Sequence, residues 1–387
     1  MKVKKMWSIL LIMIFTLISC TNISFSQGIG NGLEKSNCEE ILKNYIEDFL
    51  VEGYSEYYDI NDVKVIFDEV DVDESSNVEF IAKATMNSVL KAKCVEELPY
   101  VKGMLERVNL NTFSYESDDN TINMVSAANK SNLSDRQIEV ASKIIIDKIK
   151  DLEQYIGQAD DTNFIFKITA SVKDGEIDIS TLKMFAENID EFIPAEEILP
   201  KNSQELEKEG FEYLETEISE PVIICNEEIL PNLYSGYDRI AARDYANKYT
   251  SNTTKQCPHG KALMDTSKYN SNYNWYCHND CANYVSQSLK AGGLPTDSTW
   301  KAGSTAWVNC ESLTNYMVST KKYWKKSDYE NANAGGVIMM KNSDGHRYHT
   351  VMIVKNDTVT RQFSGHTNDR LKTAYSKNSN WEYYVLQ

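Results

Sequence analysis

The sequence predicts an α+β protein in two parts: an α+β N-terminal domain, then a C-terminal domain in which a helix packs on an antiparallel sheet. Three observations carry this. Within residues 34–193, amphipathic helical runs and alternating strand runs are interleaved. In the last third, Ala282, Val285 and Leu289 recur at helical spacing between the polar string His278-Asn279-Asp280 and a stop at Gly292-Gly293. Further on, His349-Thr350-Val351-Met352-Ile353-Val354 is an apolar, β-branched run of the kind that forms a buried strand. A turn at Asn356-Asp357 and a returning strand from Thr358 to Phe363 follow it.

The chain opens with Lys2, Lys4 and Lys5 ahead of an apolar run from Met6 to Ile18. That run is too short for a comfortable bilayer span and suits the h-region of a secretory signal. It ends in Leu17-Ile18-Ser19-Cys20, with a branched apolar residue three before the cysteine and a small one just before it. This string resembles the lipobox of bacterial lipoproteins. The resemblance implies removal of residues 1–19, lipidation of Cys20 and anchoring on the extracytoplasmic face of the bacterial cell membrane. The alternative is an ordinary signal peptide cleaved near Gln27 and a secreted, extracellular product. Residues 20–33, rich in Asn, Ser and Gly after the cysteine, read as a tether.

In the N-terminal domain, 34–193, the stretch from Cys38 to Val51 reads as a helix with Ile41, Leu42, Tyr45, Phe49 and Leu50 on one face. Val63 to Val70 and Val78 to Thr85 alternate as strands do. The capping string Ser134-Asp135-Arg136-Gln137 starts a long helix that runs to Tyr155. Phe164 to Val172 and Glu176 to Phe185 read as a hairpin around Lys173-Asp174-Gly175. No histidine and no motif tied to chemistry occurs here, so the domain's role is not legible from its residues. Residues 194–233 are acidic and read as a linker with some helix. The turn-rich string Leu230 to Gly236 marks the joint with the C-terminal domain, 234–387.

Composition describes a folded chain long enough for two ordinary cores: 387 residues, 42% hydrophobic and 11% aromatic. Charge is sharply divided. Residues 1–233 hold 21 Lys and Arg against 45 Asp and Glu, whereas residues 234–387 hold 19 against 12. A basic C-terminal domain suits an anionic polymer such as the cell wall, and an incidental surplus explains it equally well.

Chemistry concentrates in the last third. Cys281 sits at the start of the expected helix, with Asn279 or Asp280 as N-cap, and a cysteine there feels the positive end of the helix dipole. That environment favours the thiolate, the nucleophilic form. A small buried cysteine or half of a disulfide is the plain structural alternative. All 5 histidines lie in the same region: His259, His278, His346, His349 and His366. The order is a helix-start cysteine, a strand-start histidine at His349, and a polar cluster, Ser364-Gly365-His366-Thr367-Asn368-Asp369, at the end of the next strand. Cysteine hydrolases need such a set: a nucleophile, a base to take its proton and a third group to orient the base. His349 is expected to act as a neutral base unless an ion pair preforms. Aromatic residues surround these strings, among them Tyr269, Tyr273, Trp275, Tyr276, Trp300, Trp307 and Trp324. Some are expected to line a cleft, with Trp300 and Trp307 fitting a core better.

The strings Tyr237 to Ala246, Asn279 to Gln287 and Ala291-Gly292-Gly293, together with Trp300, Trp307, His349 and His366 to Asp369, resemble the putative amidase domain family of bacterial surface and secreted proteins. That family is similar to the papain-like cysteine peptidases. The resemblance covers about the last 150 residues, a domain's worth. It implies a papain-like cysteine-hydrolase fold, Cys281 as nucleophile and His349 as base. For the third residue it offers His366 first, with Asn368 or Asp369 behind it. Ahead of its histidine strand the family usually carries a Gly-Asp pair, where this chain has Gly335-Gly336. Asp280, Asn283 and Trp275 are candidates for substrate or oxyanion contacts beside the backbone N–H of Cys281.

Of the 8 cysteines, Cys20 and Cys281 have assigned roles, leaving Cys38, Cys94, Cys225, Cys257, Cys277 and Cys310 as possible disulfide partners. Export places the chain where such bridges persist, and Cys38–Cys94 would staple the N-terminal domain. A rival use is zinc, for which Cys257-Pro258-His259 and Cys277-His278 supply four ligand types at spacings tighter than structural zinc sites use. No metal, cofactor or nucleic-acid partner is expected. The sequence therefore points to a cysteine-dependent amidase or peptidase acting on a peptide or peptidoglycan-like substrate in the cell envelope. The alternatives are a catalytically inactive, lipid-anchored cell-wall binding module, or an acyl transferase using the same Cys–His pair.

Overall fold

The structure, a computed structural model, describes residues 32–72, 77–109, 133–173, 176–219, 236–260 and 262–386. The signal segment, Cys20, the tether to residue 31, and Cys225 with the rest of 220–235 lie outside the described residues.

The chain is a mixture of helix and sheet. Helix α1 (Gly32–Tyr54) buries Leu42, Ile46, Leu50 and Tyr54, spaced four apart on one face. Strands β1 (Tyr58–Val72) and β2 (Asn77–Leu90) form an antiparallel ladder, and on β2 the period-two set Val78, Phe80, Ala82, Ala84 and Met86 faces the core under α1. Helix α2 (Pro99–Arg107) starts on a proline whose missing N–H costs nothing there. Helix α3 (Asp135–Leu152) has the expected capping box, Ser134 and Gln137 each satisfying the other's backbone N–H. Strands β3 (Ala159–Lys173) and β4 (Glu176–Asn188) are the expected hairpin, lengthened at both ends, and β5 (Glu191–Pro194) extends it.

The described part of the acidic stretch, 194–219, is built into the fold rather than spanning open solvent. Helix α4 (Ser203–Ser219) buries Leu206, Leu214 and Ile218 in the N-terminal core. Its backbone touches that of α2 through two glycines. A Cβ on Gly210 would lie 1.8 Å from the Tyr100 carbonyl oxygen, and one on Gly103 would lie 1.8 Å from that of Glu207. The acidic residues of α4 lie off its buried Leu206–Leu214–Ile218 stripe, so composition alone reads as linker.

The expected Cys38–Cys94 staple is not formed. Cys38 points into the core on the buried face of α1, whereas Cys94 is a solvent-exposed free thiol ahead of α2.

The C-terminal half contributes α5 (Arg239–Lys248), α6 (Cys281–Ala291), short turns α7 (Thr305–Val308) and α8 (Cys310–Thr314), and strands β6 (Trp324–Ser327), β7 (Val337–Lys341), β8 (Arg347–Asn356), β9 (Arg361–Gly365), β10 (Arg370–Ala374) and β11 (Trp381–Leu386). The strand order is β1-β2-β3-β10-β9-β8-β7-β11-β6, with β4 beside β3 and β5 beside β4. One 11-stranded sheet thus runs through both halves, joined by a parallel bridge between Thr373 and Asn163. Helix α6 packs on the antiparallel part, its face entering a core with Trp300, Trp307, Val337 and Met352.

The seam between the halves accounts for part of the charge division. Arg370 grips Glu187 with two hydrogen bonds of 2.8 Å, both side chains buried. Arg239 meets Asp151 at 2.6 Å, and Lys372 meets Asp160 at 2.6 Å. Basic residues of one half neutralise acidic residues of the other, as burial of charge requires. No helix among the described residues is long and apolar enough to cross a membrane.

Candidate active site

Helix α6 begins at Cys281 behind Asp280, which occupies the N-cap position but makes no side-chain cap bond. Its carboxylate is spent elsewhere. Oδ1 accepts from the Tyr276 N–H at 2.8 Å and from Asn283 Nδ2 at 3.0 Å, and Oδ2 pairs with His366 Nδ1 at 2.6 Å. The Asp280 N–H donates to Thr367 Oγ1 at 2.9 Å. The start of the helix is therefore tied to the end of β9, and the first helical N–H groups are left without the usual side-chain cap.

His349 is the third residue of β8, opposite Met340 of β7, and it is brought against the Cys281 sulfur. Cys281 Sγ also touches Cys310 Sγ at 3.7 Å. The Cys310 thiol holds Cys281 well below the ordinary thiol value; burial opposes this, and the His349 charge, its hydrogen bond and the Thr350 N–H assist. Burial favours neutral His349, yet the charge and hydrogen bond of Cys281, helped by Asp190, hold it above the ordinary imidazole value. The two shifts run in opposite directions, Cys281 down and His349 up, which favours the ion pair that the sequence left open beside a neutral His349.

The residues expected to orient His349 do a different job. Both ring nitrogens of His366 face acceptors, Asp280 Oδ2 at 2.6 Å and the Tyr249 carbonyl at 2.7 Å. Both nitrogens are thus taken, and none is left for His349. The His366 ring is sandwiched between the rings of Tyr269 at 3.8 Å and Tyr284 at 4.1 Å. Asn368 accepts from the Leu263 N–H at 3.1 Å, and Asp369 accepts from Tyr269 Oη at 2.5 Å and the Asp265 N–H at 3.0 Å. All three brace the entry to α6 and the loop before it. His366→Ala is accordingly expected to destabilise the fold by about 3 kcal/mol, because it strands the buried Asp280 carboxylate. Urea unfolding of the variant measures this, and a change below about 1 kcal/mol would remove the bracing role.

Asn283 is not an oxyanion donor. Its amide donates to the Asn274 carbonyl at 2.9 Å and to Asp280, and its oxygen accepts from Trp307 Nε1 at 2.8 Å. The Asp280 carboxylate is equally committed. Trp275 remains available: it is 43% exposed on the loop leading into α6. Trp300, Trp307 and Trp324 are core residues.

Residues 236–386 match the Putative amidase domain family. The amidase-type domain thus takes in α5 to β11 and both members of the Cys281–His349 pair. The chain is also similar to "Uncharacterized protein YjcM" of Bacillus subtilis (strain 168), 29% identical over 206 residues. That match covers 48% of this chain and 46% of the relative, so the chain spans about half the length of the curated relative it matches. No solved structure matches.

Two features of the amidase-type domain answer questions raised by the sequence. At Gly336, in place of the family's Asp, a Cβ would lie 2.8 Å from the Tyr384 carbonyl and 2.9 Å from that of Asn333, so this loop admits only glycine. Cys257 and Cys277 are joined by a disulfide, with His278 Nδ1 3.6 Å from each sulfur. Sulfurs bonded to each other do not supply thiolates to zinc. Cys310, grouped with these residues as a bridge candidate, is instead a free thiol against Cys281.

The sequence missed three contributors: the Cys310 thiol, the Thr350 N–H and Asp190. Asp190 lies in the other half, in the β4–β5 turn, where the Tyr348 hydroxyl donates to it beside His349. Only folding brings it there, and no local signal marks it.

Proposed function

We propose that the C-terminal domain is a cysteine-dependent amidase or peptidase of papain-like arrangement, with Cys281 as nucleophile and His349 as its acid–base partner. The observation that carries this is the buried Cys281 thiol at the start of α6 with His349 against it, the first held down and the second held up in pKa, inside a domain that matches the amidase family. The Cys281 sulfur attacks the amide carbonyl carbon. The oxyanion is met by the Cys281 N–H and its neighbours, aided by the positive end of the α6 dipole. The His349 imidazolium then gives its proton to the leaving amine, and the C–N bond breaks. Neutral His349 next takes a proton from water, which attacks the acyl-enzyme and frees Cys281. An amine arriving in place of water turns the same cycle into acyl transfer.

The substrate class we infer is a peptide or peptidoglycan-like chain of the cell envelope, held in part by the exposed Trp275 and Tyr348 rings. Incubating the full-length protein with muropeptides and with free peptides, followed by mass spectrometry, tests this. New amine and carboxyl termini that require Cys281 support it; intact substrates throughout would reject it.

We also propose that Cys20 is lipidated and holds the protein at the outer face of the cytoplasmic membrane. The sequence at 17–20 supports this reading. The mature protein is expected to partition into detergent, and Cys20→Ala to abolish that partitioning or block processing. Wild-type protein in the medium with an unmodified N-terminus beyond residue 20 would refute it.

A further inference from the structure

No bond is made or broken at Cys310 in the hydrolytic cycle, where its thiol only supports Cys281, although its sulfur lies 3.7 Å from that of Cys281. Both thiols are only 5% exposed, one opening α6 and the other opening α8, 29 residues apart in sequence. Two sulfurs in van der Waals contact need to close by only about 1.6 Å to reach disulfide length, a shift that side-chain rotation supplies. No other described cysteine is placed to do this: Cys257 and Cys277 are already bonded to each other, Cys38 is buried in the N-terminal core, and Cys94 is exposed in the same half as Cys38.

We propose that Cys310 is a resolving thiol for Cys281, so that oxidation of the nucleophile by a peroxide ends in a reversible Cys281–Cys310 disulfide. The inference rests on the same reactive thiol as the proposed hydrolase. In the first step the Cys281 thiolate attacks one oxygen of hydrogen peroxide, the O–O bond breaks, and a sulfenic acid and hydroxide result. While Cys281 is a thiolate, its hydrogen bond, together with burial and its charge, holds the proton on Cys310. Sulfenic acid formation removes that charge. Cys310 then gives up its proton and its sulfur attacks the Cys281 sulfur. The S–O bond breaks, and the hydroxyl leaves with the proton as water. The proton that Cys281 gave up on becoming a thiolate neutralises the hydroxide, so two thiols and one peroxide have become one disulfide and two waters. Without Cys310 the sulfenic acid meets a second peroxide and becomes sulfinic acid, which thiol reductants do not reverse.

The test needs no substrate. Full-length protein is treated with hydrogen peroxide, alkylated, and mapped by peptide mass spectrometry with and without dithiothreitol. Wild type is expected to give a cross-linked Cys281–Cys310 peptide pair, two hydrogens lighter than the reduced pair. Dithiothreitol should then restore most of the alkylatable Cys281. In Cys310→Ser and Cys310→Ala, recoverable Cys281 should fall about tenfold, with sulfinic acid in its place. Circular dichroism checks that the variants fold, and the wild-type cross-link alone decides the matter if they do not. Sulfinic Cys281 beside freely alkylated Cys310 in wild type overturns the proposal, as does equal recovery in the variants. A cross-link without any Cys281-dependent amide cleavage would sink the hydrolase reading and leave this one standing; cleavage without a cross-link would do the reverse.

Discussion

Cys281→Ala is expected to lower amide hydrolysis by about 10⁴-fold or more while leaving stability within about 1 kcal/mol of wild type. On the proposed mechanism the activity loss follows from removing the atom that forms the covalent intermediate. The small stability change follows from two opposed terms. Deleting one buried sulfur leaves a cavity of roughly methyl size, costing on the order of 1 kcal/mol. Alanine, in turn, is a better helix former than cysteine by about half that amount. The substitution also frees His349 from the thiolate that now raises its pKa. Steady-state hydrolysis on the substrate found by mass spectrometry, paired with thermal melting, measures both effects. Undiminished hydrolysis would end the cysteine reading, and a fall of many degrees in melting would instead make Cys281 a structural residue.

His349→Ala is expected to cost about 10³-fold in turnover. On the proposed mechanism the variant loses the proton donor to the leaving amine and the partner whose charge and hydrogen bond hold the Cys281 pKa down. A second readout follows from the sign of the pKa shifts. Cys281 is held below the usual thiol value of 9.0, in part by the His349 charge, so wild-type Cys281 should react with iodoacetamide well below that pH. Without His349 the onset of labelling should move to higher pH, because the thiolate loses one supporting charge while the burial penalty stays. The Cys310 thiol and the Thr350 N–H remain, so the shift should be partial. His259→Ala and His278→Ala should change turnover little. His366→Ala should fall between, because it acts through the start of α6 and not on the imidazole. A chelator should have no effect. Labelling that is unchanged in His349→Ala would break the pair apart. Damage confined to His259→Ala and His278→Ala, reproduced by a chelator, would put a metal in its place.

The parts of this protein that were legible in its residues are those set by short-range physics. The start of α6 at Cys281, the stop at Gly292, the capping box at Ser134 and the strand through His349 each depend on capping, periodicity or β-branching within about ten residues. The alternation on β2 and the hairpin of β3 and β4 were legible for the same reason. The expected third members of the site were not placed correctly. His366 and Asn368 are near His349 in strand order, but which way a side chain points at the end of a strand depends on what acceptors surround it. Here Asp280 and the Tyr249 carbonyl claim both nitrogens of His366. The 194–219 stretch was misjudged because composition averages over a helix, whereas burial depends on one face of it.

The sequence by itself determined which chemistry is present: a cysteine at a helix N-terminus, a histidine entering a buried strand, and an ordered set of motifs that resemble one family. Those are properties of residue type and local spacing, and local interactions suffice to express them. Tertiary structure alone decided that Cys310 is a free thiol against Cys281, that Asp190 from the other half lies beside His349, and that one sheet joins an acidic half to a basic one, with the Arg370–Glu187 ion pair buried at the seam. Each of these is a contact between residues 29 or more apart in the chain. Such contacts are chosen by the packing of whole elements, whose free energy is spread over many residues and written in no single stretch of sequence.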